Sequence, residues 1–311
     1  MTGADGGRAR WGVVAPTFDP YGSGKPLPVV AGAKRAEELG FDAVWVGDHL
    51  VCPAPVLDSL CALSAVAAVT SRTQLGISVL QLGLRHLVWT AKQLATLDAL
   101  APGRLRLGVG VGGEFEEEFR AAGVTIESRG ARLDEMLDLL PALLRGEPVD
   151  HDGAYVSVHS PALLPATGSS PPLSVGGRSD RALDRAARKA DQWIGIWHGA
   201  RTVNERRERL AELAFRYGRP APSVAMVVLA NVNEDREVAR IETAAALKGQ
   251  YRMPLQMVER WTALGPAEEV AKMLARYIEA GVSDLVLLPT SPDPLTQYER
   301  LATVRGILDR A

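Results

Sequence analysis

Cysteine is nearly absent. Cys52 and Cys61 are too few for a disulfide framework, and they form no metal-ligand or redox spacing. Excess charge is missing as well: the formal net charge is −2 and no basic block occurs, which excludes a nucleic-acid or anionic-membrane partner. No run approaches the roughly 20 apolar residues of a membrane helix. The opening TGADGGRAR has no apolar centre and does not read as a secretory signal. There is no Ser-His-Asp order, no G-x-S-x-G elbow and no metal-ligand cluster. These absences point to a cytoplasmic protein whose chemistry comes from an organic cofactor, with a small-molecule substrate.

What is present is a strand–helix alternation. Short apolar runs predict strands at Trp11–Thr17, Ala43–Gly47, Leu75–Leu82, Leu105–Val111, Pro171–Val175, Gln192–Trp197, Val224–Ala230 and Asp284–Leu288. Helical spacing fills the gaps, as in Leu87, Ala91, Leu94, Leu97 and Ala101, or in Val56–Thr70, Arg129–Leu144, Ser179–Ala190 and Val203–Tyr217. Eight such units fit a (β/α)8 barrel with insertions better than an open doubly wound sheet. The expected organisation is a flexible tail at residues 1–10 and one domain at 11–311. Two stretches depart from a minimal barrel and read as lids: 145–171, with a hairpin near Glu147–Val158, and the aromatic Gln250–Leu264.

In such a fold, ligands bind at the carboxyl ends of the strands. Gly108-Val-Gly110-Val-Gly112-Gly113 satisfies the dinucleotide fingerprint but follows the fourth strand and precedes four glutamates, which would repel a pyrophosphate. Those glycines read instead as room for a flat ligand, or as a tight loop. Gly176-Gly177-Arg178-Ser179 reads equally as an anion cradle at a helix start or as a plain turn with a solvated arginine. Asp48-His49 ends a strand at the reactive edge, where His49 could transfer a proton. Trp197 and His198 hold a similar place after strand six, as substrate-side candidates. Glu114–Glu118 reads as a solvated helix face, His151 and His159 as solvated, and His86 as a cap or packing residue.

The blocks EELGFDAVWVGDHL, TSRTQLGISVLQL, RHLVWTAKQLATLDALAPGRLRLGVGVGG and PPLSVGGRSDRALDRAARKADQWIG occur in an order that resembles the bacterial luciferase-like superfamily, nearest to actinobacterial F420-dependent oxidoreductases. The resemblance implies a luciferase-like barrel with F420, or alternatively FMN, at its carboxyl face. It places the ring over Ser78-Val79, where the family commonly carries a non-prolyl cis peptide, and beside Gly112. It assigns Gly176, Gly177, Arg178 and Ser179 to the cofactor phosphate and sets Asp48 and His49 near the ring as catalytic candidates. The implied activity is hydride transfer between deazaflavin and a small organic substrate, in a homodimer. The alternatives are a monooxygenase using reduced FMN and oxygen on a hydrophobic substrate, and a non-catalytic flavin-fold binding protein. Sugar-phosphate oxidation is disfavoured, because the family's dehydrogenase of that kind has an acidic residue where Gly113 stands and a tryptophan where Cys52 and Pro53 follow Asp48-His49.

Overall fold

The computed structural model describes residues 8–168 and 170–310; residues 1–7 of the expected tail lie outside the described residues. The strands are β1 (Arg10–Val14), β2 (Ala43–Val46), β3 (Gln74–Leu80), β4 (Leu105–Val109), β5 (Val149–Asp152), β6 (Ser157–Ser160), β7 (Leu173–Gly176), β8 (Gln192–Ile196), β9 (Ser223–Val232), β10 (Ala263–Gly265) and β11 (Asp284–Pro289). The helices are α1 (Val29–Glu38), α2 (Ser59–Val69), α3 (Leu87–Leu100), α4 (Glu116–Ala122), α5 (Arg129–Leu144), α6 (Asp180–Lys189), α7 (Ala200–Arg216), α8 (Arg236–Tyr251), α9 (Ala267–Glu279) and α10 (Pro294–Leu308). Parallel pairing runs β1-β2-β3-β4-β7-β8-β9-β11 and closes through β11 onto β1, forming the expected (β/α)8 barrel. The strands read as unbroken apolar runs because both faces are covered, by helices outside and by a packed interior inside.

That interior is layered. At the amino-terminal end, the buried Asp284 carboxylate accepts from Arg10 at 2.7 and 2.9 Å and from Gln192 Nε2 at 2.7 Å. Above it lies Trp45, only 1% exposed, with the Arg106 guanidinium 5.9 Å from its ring. Its neighbours make way: a Cβ on Gly12 would fall 2.3 Å from Trp45 Nε1, and one on Gly76 2.1 Å from Trp45 Cε3. The barrel interior is therefore plugged from below by Trp45 and the Asp284 cluster, and its cavity opens at the carboxyl edge.

Several boundaries differ from the predicted ones for local reasons. The second helix starts at Ser59 rather than Val56, because Pro53 and Pro55 keep the preceding segment extended and Asp58 caps the helix by accepting from Cys61 N at 2.9 Å. Val56 instead bridges Phe18. The expected hairpin is β5–β6, antiparallel from Val149↔Ser160 to Asp152↔Ser157. The aromatic stretch after α8 forms two short 3₁₀ turns and then β10, which pairs in parallel with the far end of β9.

Candidate active site

At the carboxyl mouth of the barrel lies a cavity of about 600 Å³. Its geometry begins in β3. The Ser78-Val79 peptide is cis, and the β3–β4 register shifts between Ile77 and Leu80. The Val79 side chain enters the space left by two glycines: a Cβ on Gly110 would lie 2.4 Å from Val79 Cγ2, and one on Gly176 2.6 Å from Val79 Cγ1. Gly112 follows in a left-handed conformation, φ +64°, and faces Gln81 Oε1, a buried acceptor with no partner among the described residues. Small backbone on β4 and β7 thus makes one wall a smooth cradle around Val79.

Beside the cradle, β7 delivers the Gly176–Ser179 loop. Gly177 takes φ +143°, a conformation that glycine adopts freely. Its amide is spent on Ile194 O at 3.3 Å and its carbonyl on Trp193 Nε1 at 2.9 Å. The donors open to a ligand therefore begin at Arg178. Ser179 caps α6 by accepting from Ala182 N at 3.2 Å, as its position predicts, leaving the other first-turn amides for an anion. Arg178 stacks on Trp197, 4.9 Å from the ring, and Arg129 lines the same side of the cavity.

Opposite stands His49. Its Nδ1 lies 3.1 and 3.2 Å from the two oxygens of Glu118, which also accept from Leu50 N at 2.7 Å and Gln81 Nε2 at 3.1 Å. Glu118 is fully buried, which opposes ionisation, but the hydrogen bonds from His49, Gln81 and Leu50 outweigh burial and hold its carboxyl below the usual range. A carboxylate on Nδ1 holds a proton there and leaves Nε2 as the nitrogen open to a ligand. Phe18 and Phe115 flank the imidazole at 5.9 and 5.3 Å. Asp48 lines the cavity, yet its carboxylate is committed elsewhere: it accepts from Ser59 Oγ at 2.7 Å, Gln81 N at 2.9 Å and Arg85 at 2.6 Å. It ties β2 to the end of β3.

Glu118 corrects the reading of Glu114–Glu118 as a solvated face. Glu114, Glu116 and Glu117 are exposed, but Phe115, Glu118 and Phe119 are buried together. The spacing of that trio along one helical stripe was the available signal.

After β8 the chain turns at Trp197, φ +57°, so that its indole lines the cavity while His198 packs against Trp193 at a ring distance of 5.9 Å. Burial, then Arg206 and Arg178, pushes the His198 imidazole down to about 4, and its Nε2 is buried without a partner among the described residues. The structure gathers Asp48, His49, Ser78, Val79, Gly112, the Gly176–Ser179 loop and Trp197 around one cavity, and leaves the His198 ring outside its lining. Gln250 and Tyr251, from the end of α8, complete the roof; burial, then Glu114 and Cys52, raises the Tyr251 phenol and keeps it protonated. His86 caps α3, accepting from Trp89 N at 3.4 Å. Among the described residues no group of three His, Cys, Asp or Glu could hold a metal, and no helix is long and apolar enough to cross a membrane.

The chain is similar in sequence or in fold to several known proteins. An F420-dependent glucose-6-phosphate dehydrogenase of Beutenbergia cavernae is 30% identical over 311 residues, covering 89% of this chain and 91% of its own. An uncharacterized protein of Mycobacterium tuberculosis is 30% identical over 193 residues, 56% of this chain; the chain spans 65% of that relative's length. Among solved structures, an F420-dependent secondary alcohol dehydrogenase in complex with an F420–acetone adduct has the same fold, with a TM-score of 0.84 at 20% identity over 97% of this chain and 99% of that one. A monooxygenase from Streptomyces bottropensis gives a TM-score of 0.82 at 22% identity, over 95% and 97%. The profile of the luciferase-like monooxygenase family matches residues 9–254, from β1 through the roof of the cavity, and the chain belongs to that family.

Proposed function

We propose that the protein is an F420-dependent oxidoreductase moving hydride between the deazaflavin and a small organic substrate. The observation that carries this reading is the pairing, at one barrel mouth, of the glycine cradle and cationic loop with the His49–Glu118 couple across from them. The residues fit such a cofactor: a Cβ at Gly110 or Gly176 would fill the space in which Val79 sits, and the first amides of α6 are open beside Arg178. Arg178 and Ser179 would hold its phosphate, and Ser78, Val79, Gly112, Gly176 and Gly177 would border its ring. Bound F420 supplies the two-electron hydride donor or acceptor. Glu118 holds the proton on His49 Nδ1, so that Nε2 takes up or returns the substrate proton as hydride moves. Asp48 acts as a positioning residue, through β3 and Gln81. The F420-dependent names among the relatives support the cofactor. A purely non-catalytic binding role would leave the His49–Glu118 couple without use.

Residues 11–311 would work as one domain in the cytoplasm. A homodimer is supported by α2, which carries no charged residue, and by Trp89 on the neighbouring α3, 70% exposed; a monomer in sedimentation equilibrium would remove that part. The cofactor reading is tested by titrating the purified protein with F420 and with FMN. F420 should bind at least about tenfold more tightly, and Arg178→Glu should weaken it at least about tenfold, because a charged hydrogen bond contributes about 1.5–3 kcal/mol. Arg178 is exposed and suits this test better than Gly177, where any Cβ would fall 2.6 Å from that of Ala182. Equal or tighter binding of FMN would overturn the assignment.

A further inference from the structure

The cavity wall has two unlike halves. Around the arc from β3 through β4 to β7 it is mostly glycine and arginine, Gly112, Gly176, Arg129 and Arg178, with Val79 and Val111 between them, Glu114 at the rim and Arg185 held by Asp134 at 2.9 Å. Around the arc from β8 through β9 and β11 to β1, it is Ile194, Ile196, Val227, Leu288 and Val14. Above that second arc sit Phe18, Trp197 and Tyr251, with Gln250 at its edge donating to Tyr251 Oη at 3.0 Å. Among the described residues in the wall of this arc, none is Lys, Arg, Asp or Glu; the charges nearest it stand at the rim, Arg178 stacked 4.9 Å from the Trp197 ring and Glu114 beside Tyr251. His49 stands where the halves meet, after β2.

On the cofactor reading above, the cationic half is taken by the cofactor's phosphate, and the substrate is left the apolar half. We infer that the substrate is an uncharged alcohol, or its aldehyde or ketone, with an apolar body, and that phosphorylated and carboxylated substrates are excluded. A phosphate placed against Ile196, Val227 and Leu288 would lose its hydration with no counter-charge in that wall, Arg178 at the rim being taken by the cofactor's phosphate, and such a charge is strongly disfavoured. An apolar body loses nothing there and gains burial. The hydroxyl end is served by groups already in place. With F420 bound as the hydride acceptor, His49 Nε2 would take the alcohol's hydroxyl proton as the carbinol C–H bond breaks and the C=O bond forms, and would return that proton in the reverse direction. Tyr251, kept protonated by burial, sets a neutral hydroxyl rather than a charge over the apolar arc.

The test uses a matched pair, cyclohexanol and cyclohexyl phosphate, with dissociation constants measured by calorimetry on F420-loaded protein. Cyclohexanol should bind at least about tenfold more tightly, one decade being 1.4 kcal/mol. A second arm is Leu288→Arg, which sets a guanidinium on the cation-free wall. It should shrink or reverse the preference while the F420 dissociation constant stays within about threefold and the melting temperature holds. Tighter binding of the phosphate ester to the native protein, equal binding, or no binding of cyclohexanol overturns the inference. So does a stably folded Leu288→Arg variant with an unchanged preference. The F420 titration is read separately, and if it fails, the pair is compared between cofactor-free native protein and cofactor-free Leu288→Arg: both leave Arg178 open to phosphate, so a difference in preference reports on this wall and its absence overturns the inference.

Discussion

Replacing Glu118 with glutamine tests whether the buried carboxylate sets the state of His49. The carboxylate is contacted by four donors: His49 Nδ1, Leu50 N at 2.7 Å, Val51 N at 3.3 Å and Gln81 Nε2. Leu50 and Val51 both approach Oε1, so the side-chain oxygen of glutamine should stay there. Its NH2 group then replaces Oε2, which lies 3.2 Å from His49 Nδ1 and 3.1 Å from Gln81 Nε2. Two donors would face the new one. His49 Nδ1 keeps only Oε1, at 3.1 Å and already accepting from Leu50 and Val51, and loses the negative charge that fixes its proton, so the tautomer with the proton on Nε2 and the basic lone pair turned away from the cavity gains population. One charge-assisted hydrogen bond at about 1.5–3 kcal/mol corresponds to a factor of about 10 to 150. An inverted tautomer carries the loss toward the roughly 10²- to 10⁴-fold scale of general acid–base catalysis. Turnover should therefore fall by about 10²- to 10³-fold at neutral pH, followed by the deazaffavin absorbance in anaerobic stopped flow. Glu118 does not line the cavity, so the F420 dissociation constant should move by less than about threefold. Nitrogen-15 spectra of labelled histidine read the tautomer directly. A folded variant with the proton still on Nδ1 and turnover unchanged would refute the reasoning.

Gly176→Ala should cost about 1–3 kcal/mol of unfolding free energy, as overpacking does, because its Cβ would lie 2.6 Å from Val79 Cγ1; an unchanged urea midpoint would show that Val79 has room to yield. His198 gives a pH signature. Its folded value of about 4 lies below the ordinary 6.5, so between those values the unfolded chain binds more protons, and stability falls as pH drops from 6.5 to about 4. His198→Phe should flatten that part of the profile in scanning calorimetry, and a difference between the two proteins that is constant across the window would count against it.

The barrel was legible because each strand is a short apolar run followed by a helical stripe, and neither pattern depends on distant partners. The Gly176–Ser179 loop was legible for the same reason: a strand end, two glycines and a serine cap are local signals. Glu118 was not, since a run of glutamates looks solvated until the neighbouring Phe115 and Phe119 fix which face turns inward. The commitment of Asp48 to Arg85 and Ser59 joins segments that only the closed barrel brings together. Of the two substrate-side candidates, Trp197 enters the cavity and His198 leaves it through a single left-handed residue, a torsion that no composition announces.

β9 runs for 10 residues where β8 runs for 5 and β11 for 6. Its surplus carries β10, in the register Ala230↔Ala263 to Val232↔Gly265. The segment bearing Gln250 and Tyr251 is thereby stitched into the sheet at its far side, and packed through Leu247, Leu255, Val258 and Leu264 onto Leu229. It is not a loop that can be exchanged at its two ends. A chimaera that borrows another enzyme's roof must carry the last residues of β9 and all of β10 with it, as one cassette. Diversification of the substrate pocket in this lineage is then expected to proceed by substitution within the cassette, with its length held constant by the ladder beneath.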